Sequence, residues 1–196
     1  MLADVDPFSL GSINISLDKT FSSDVKEAAA DVMFYPRENA VALEFKQGVM
    51  QYRQFWDETG RRKFIKTSKK YIEDFANQNL VTKYNKSRAI YGNVTGRFQW
   101  KTMAFSPTYG ASPVIQLGYR FRDGSPYFAV YQKKAGEETG TNSKGVSESP
   151  SFSVYFTRAQ SEELAGLFDQ AFLLETLNRE NAPPSADSGK DVYIAK

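Results

Sequence analysis

The 196-residue chain contains no cysteine and no histidine. Without thiols there is no disulfide, no thiolate nucleophile and no Cys-ligated zinc. Without imidazole, every Ser-His or Cys-His pair and every imidazole–metal bond is excluded. Long apolar runs are missing too: none approaches the about 20 residues that span a bilayer as a helix. Met1 to Pro7 has neither a basic n-region nor an apolar h-region, so the chain as it stands shows no signal peptide. The stretch Leu2 to Pro7 equally suits the first residues of a mature exported protein. Compartment therefore reads two ways: cytoplasmic if the start is native, periplasmic or exported if a leader was removed.

Phosphate-binding loops of the G-x-x-x-x-G-K-[ST] and G-x-G-x-x-G types are absent, as is a G-x-S-x-G elbow. No EF-hand pattern appears. Two adjacent carboxylate pairs, Asp57-Glu58 and Glu162-Glu163, are the obvious acid–base candidates. Neighbouring residues point apart, and Glu162-Glu163 sits where negative charge complements a helix N-terminus. No catalytic residue, metal ligand or cofactor is assigned, and the chain is expected not to be an enzyme.

What the chain does have is apolar mass: 41% hydrophobic and 14% aromatic residues, with fifteen Phe and eleven Tyr. That is enough for a core, and the aromatics favour strands. Charge is uneven. Residues 1–45 carry net −5, residues 46–101 net +9 and residues 102–196 net −2. A basic block of this kind either attracts a polyanion or solvates strands whose acidic partners come from elsewhere.

Periodicity places strands at Gly11–Leu17, Val32–Tyr35, Ala40–Lys46 and Val49–Trp56. Ser22-Ser23-Asp24 is compatible with the cap of a short helix through Val25 to Ala30. Arg61–Ile65 reads as a short strand. Thr67 or Ser68 then opens a helix with Ile72, Phe75, Ala76, Asn79 and Leu80 on one stripe. Further strands follow at Arg88–Tyr91, Gly96–Phe105, Val114–Phe121, Tyr127–Gln132 and Phe152–Phe156. Residues 106–113 form a loop, Asp123-Gly124 a hairpin turn and residues 133–151 a mobile loop. Thr157 and Gln160 form a capping box opening a helix whose stripe is Leu164, Leu167, Phe168, Ala171 and Leu174. The expected core is Ile13, Ile15, Val41, Leu43, Phe45, Ile72, Phe75, Ile115, Leu117, Phe156, Leu164, Leu167 and Phe168.

The expected fold class is α+β: two related halves, about 11–80 and 88–178, each an antiparallel β-meander followed by a helix packed on the sheet. They make one domain over residues 1–181, with 182–196 a disordered tail. Two meander–helix units over residues 11–178 resemble the PUR-type and Whirly-type folds. That resemblance rests on element order and on a basic, aromatic sheet, and it implies single-stranded nucleic acid on curved sheets. The phosphate-binding candidates are Lys46, Arg53, Arg61, Arg62, Lys63, Arg97 and Lys101. The base-stacking candidates are Tyr52, Phe55, Trp56 and Trp100. The alternative is an exported or envelope-associated module that binds another protein, with a sheet edge available for homo-oligomer formation.

Overall fold

Alternation of apolar and polar residues builds most of this molecule. In strand β1 (Phe8–Lys19), Ile13, Ile15 and Leu17 are buried while Ser12 and Asn14 face water. The computed structural model describes residues 5–19, 25–81, 89–102, 106–138 and 148–180. Its strands continue as β2 (Val25–Tyr35), β3 (Ala40–Gln47), β4 (Met50–Trp56), β5 (Ala89–Thr95), β6 (Arg97–Lys101), β7 (Tyr109–Ala111), β8 (Val114–Arg122), β9 (Ser125–Gln132) and β10 (Phe152–Phe156). Helix α1 spans Glu58–Ala76, α2 Arg158–Leu167 and α3 Gln170–Glu180. The fold is α+β and sheet-dominated.

All ten strands belong to one antiparallel sheet, ordered β5-β8-β9-β10-β1-β2-β3-β4-β6-β7. The two stretches separated in sequence share this sheet: β10 pairs with β1, and β6 with β4. The sheet is curled. β5 and β6 are one strand bent at Gly96, its first part paired to β8 and its second to β4. A Cβ at Gly96 would lie 2.6 Å from Ile115 Cδ1 and 3.2 Å from the Phe55 carbonyl oxygen, so glycine lets β8 and β4 approach here without displacing either. Deeper in the curl, Gln54 Nε2 of β4 donates to Gln132 Oε1 of β9 at 3.0 Å.

The concave face holds the core. Phe64 of α1 meets the rings of Trp56, Phe128, Phe156 and Phe168, closing one end. The other end is filled by a row of rings, Phe45, Tyr52, Phe152, Phe98, Trp100 and Tyr109. Each such fully buried ring contributes roughly 1.5–3 kcal/mol.

Several expectations need correction. The short helix at Val25–Ala30 is instead the first half of β2, whose residues pair with β1 from Asp18↔Val25 onward. The strand at Arg61–Ile65 and the helix start at Thr67 or Ser68 are both replaced by α1, which begins at Glu58. Asp57 caps it, its Oδ1 accepting from Gly60 N–H at 2.7 Å. The buried stripe of α1 is Gly60, Arg61, Phe64, Thr67, Ser68 and Tyr71. Ile72 is therefore only half-buried, while Phe75, Ala76 and Asn79 are exposed.

The capping box at Thr157 and Gln160 forms as expected. The helix it opens breaks at Phe168-Asp169, because Asp169 Oδ1 accepts from the N–H groups of Ala171 and Phe172 and starts α3. Leu173 and Leu177 are buried in consequence, while Leu167 is half-buried and Ala171 and Leu174 are exposed. The loop at 106–113 contains β7. The loop at 133–151 is pinned at its described ends. Ser149 N–H donates to Ala135 O at 2.8 Å, and Glu138 N–H to Gly110 O of β7 at 2.8 Å. The expected cap at Ser22–Asp24, the strand residues Arg88 and Met103–Phe105, the middle of the 133–151 loop and the tail lie outside the described residues.

A candidate binding cleft between diverging strands

The β3–β4 hairpin turns through Gly48-Val49, with Gln47 opposite Met50. That loop fixes everything along the two strands: Glu44 stands opposite Arg53, and Lys46 opposite Gln51. β6 extends the rows, placing Gln99 beside Arg53, Lys101 beside Gln51 and Arg97 beside Phe55. These side chains point to the convex face.

Both arginines on that face are paired. Arg53 Nη2 donates to Glu44 Oε2 at 3.2 Å, and its Nε lies 2.7 Å from Glu44 Oε1 but off line for a hydrogen bond. Tyr35 Oη donates to the same Glu44 Oε1 at 2.7 Å. Burial first, and then that bond to a carboxylate, push the Tyr35 hydroxyl up to about 12. Arg97 pairs with Glu38, and its guanidinium lies 3.7 Å from the Phe55 ring centre. Phe55, Ala40 and Ala42 are thus buried on the convex side, under two arginines and Tyr35.

Beside this lattice the sheet opens. β2 pairs with β3 only from Ala30↔Phe45 to Tyr35↔Ala40. Below that point β2 stays with β1, and Lys46 and Gln47 stay with β4. The divergence leaves a cleft of about 500 Å³. One lip is Glu27, Ala28, Ala29 and Asp31; the other is Glu44, Phe45, Lys46, Gln51 and Tyr52. A shallower depression of about 80 Å³ adjoins it across Gln51 and Tyr52, reaching Arg53, Gln99, Trp100, Lys101 and Thr108.

The eleven residues singled out in the sequence divide among several places. Lys46, Arg53, Arg97 and Lys101 share the convex face of three neighbouring strands. Arg62 and Lys63 lie on α1, with Arg62 paired to Glu58 and Lys63 packed across Gly92. Arg61 is not a phosphate ligand. It is 1% exposed and donates to the carbonyl oxygens of Phe168, Asn39 and Trp56 and to the side-chain oxygens of Asn39 and Gln170. Burial lowers the pKa of its guanidinium. The stacking platforms are also corrected. Tyr52, Trp56 and Trp100 face the concave core, and Phe55 lies beneath Arg97, so none offers a free ring face.

Glu27, Asp31, Glu44 and Gln51 belong to the cleft and were not singled out. Glu44 was within reach: once Gly48-Val49 is taken as a two-residue loop, its place opposite Arg53 follows. The divergence itself left only the run Ala28-Ala29-Ala30, small residues with weak strand preference.

Among the described residues, no helix is long and apolar enough to cross a membrane, and no group of three or more acidic residues could hold a metal ion. The family described as "Uncharacterised Treponema protein" matches residues 7–175, and the chain belongs to that family. Nothing matches among curated proteins, and nothing among solved structures.

Proposed function

We propose that this member of the Treponema family is a non-enzymatic binding module that engages another polypeptide through the β2–β3 cleft and the adjoining convex face. One observation carries the reading: the cleft joins charges of both signs to a partly apolar floor, and Arg53 and Arg97 beside it are already neutralised by Glu44 and Glu38. Mixed charge around aromatic and arginine side chains suits a protein partner better than a polyanion. The two sequence halves are read as related units whose strands have merged into one sheet.

Single-stranded nucleic acid is the second reading, favoured by the four cations on one convex face. The PUR- and Whirly-type likeness points the same way. None of the four candidate rings on these strands is free for stacking, which supplies about 1–3 kcal/mol per base in such proteins.

The test is site-specific photo-crosslinking in the native cell, with the crosslinking residue replacing Gln51 in the cleft or Glu163 on α2. A discrete protein adduct from position 51 alone supports the reading. No adduct, or the same pattern from both positions, sinks it.

A further inference from the structure

The divergence of β2 and β3 leaves more than a hollow. Among the described residues, β2 from Val25 to Ala29 is paired on one side only, to β1, and its other side faces the cleft. Strand backbone open on one side in a recess is the arrangement that accepts an added strand from another chain. The side chains on the lips sort by face. Ala28, Phe45 and Tyr52 belong to the concave, apolar side, and Ala28 is small enough to leave room opposite the two rings. Glu27 and Asp31 belong to the convex side. Both are exposed, and neither side chain has a hydrogen bond or ion pair among the described residues. Glu44 beside them is neutralised by Arg53 and held by Tyr35, and among the described lip residues Lys46 is the opposing cation.

We infer that the cleft receives an extended segment of the partner polypeptide as an additional strand along Val25–Ala29 of β2. Its alternate side chains are apolar, toward Ala28, Phe45 and Tyr52, and basic, toward Glu27 and Asp31. The inference rests on the polypeptide-binding reading and specifies its ligand. Main-chain pairing supplies the general affinity, and the acidic lip selects the charge of the segment.

The probe is an end-capped heptapeptide of alternating lysine and valine, titrated into the full chain while amide hydrogen exchange is followed residue by residue. The expected result is saturable binding that slows exchange within Lys26–Ala29. Glu27→Lys with Asp31→Lys should weaken it about fivefold, since two exposed charge pairs are exchanged for repulsions. Both positions are exposed, so the variant keeps its fold. A control peptide with glutamate for lysine should bind at least as weakly. Protection elsewhere, indifference to the charge reversal, or no binding each overturns the inference. A position-51 crosslink in cells with any of those peptide results overturns the added strand but leaves the binding module standing; loss of both overturns both.

Discussion

Replacing Arg61 with methionine tests how this fold holds its helices. Arg61 sits where the α1 start, the turn after β2 and the end of α2 meet, and its donors serve carbonyl oxygens of Asn39, Trp56 and Phe168. Methionine keeps an unbranched apolar stem and removes every donor. Two buried carbonyls, of Trp56 and Phe168, and the partly buried one of Asn39 are left short of a partner, at about 1–3 kcal/mol each. Relief from burying a guanidinium without a directly bonded carboxylate returns several kcal/mol of that. The net expectation is a loss of about 3 kcal/mol, which for a chain of this size lowers the melting temperature by roughly 6–12 °C. Arg61→Lys retains the charge but not the planar fork, and should lose about 2 kcal/mol. Urea unfolding followed by tryptophan fluorescence reads both, because Trp56 and Trp100 are buried at 1% and 3% exposure. Arg61→Met within about 0.5 kcal/mol of the parent would refute the clamp.

Three further outcomes follow from the packing. In Gly118→Ala the new Cβ would meet the Ala89 carbonyl oxygen at 1.8 Å, so β5 should detach from β8 at a cost of about 3 kcal/mol or more, seen as faster exchange at Ile90. Gln132→Leu strands the buried Gln54 amide, costing about 1–3 kcal/mol, whereas the double change Gln54→Leu/Gln132→Leu should recover most of the loss in a denaturation cycle. Tyr35 keeps its proton up to about 12 in the fold, while an unfolded tyrosine releases it near about 10. Its contribution is therefore complete below about pH 10 and is lost as pH rises through about 12, because the unfolded state then binds fewer protons. Tyr71 and Tyr91 are raised as well, chiefly by burial, and act with the same sign. Stability should fall above pH 10 in a titrated urea series, and Tyr35→Phe should flatten that fall.

The strands were legible because period-2 alternation survives wherever one face is buried, as in Ile115, Leu117, Tyr119 and Phe121. The start of α2 was legible because a capping box is local chemistry. α1 was misread because its buried stripe is written in Gly60, Arg61, Thr67 and Ser68, polar or small residues that show no hydrophobic period. Thr67 returns its hydroxyl to Lys63 and Phe64 carbonyls, and Ser68 donates to Ser161 O across to α2. The break in the last helix turned on Asp169, one more acidic residue in a polar sequence until its side chain caps α3. Register brings four of the seven candidate cations, Lys46, Arg53, Arg97 and Lys101, to one face of three neighbouring strands. The neutralisation of Arg53 and Arg97 by Glu44 and Glu38 depends on cross-strand and tertiary partners, and that changes what the face can bind.

The most direct test of this face, whose two arginines are neutralised, is fluorescence anisotropy with a labelled mixed-sequence single-stranded oligonucleotide at about 50 and 200 mM salt, conditions under which a phosphate-binding groove shows a steep salt dependence. The account predicts no saturable binding at either concentration. Tight binding at low salt that weakens steeply at high salt, and disappears in Lys46→Glu/Lys101→Glu, would contradict it and make the convex face a nucleic-acid surface.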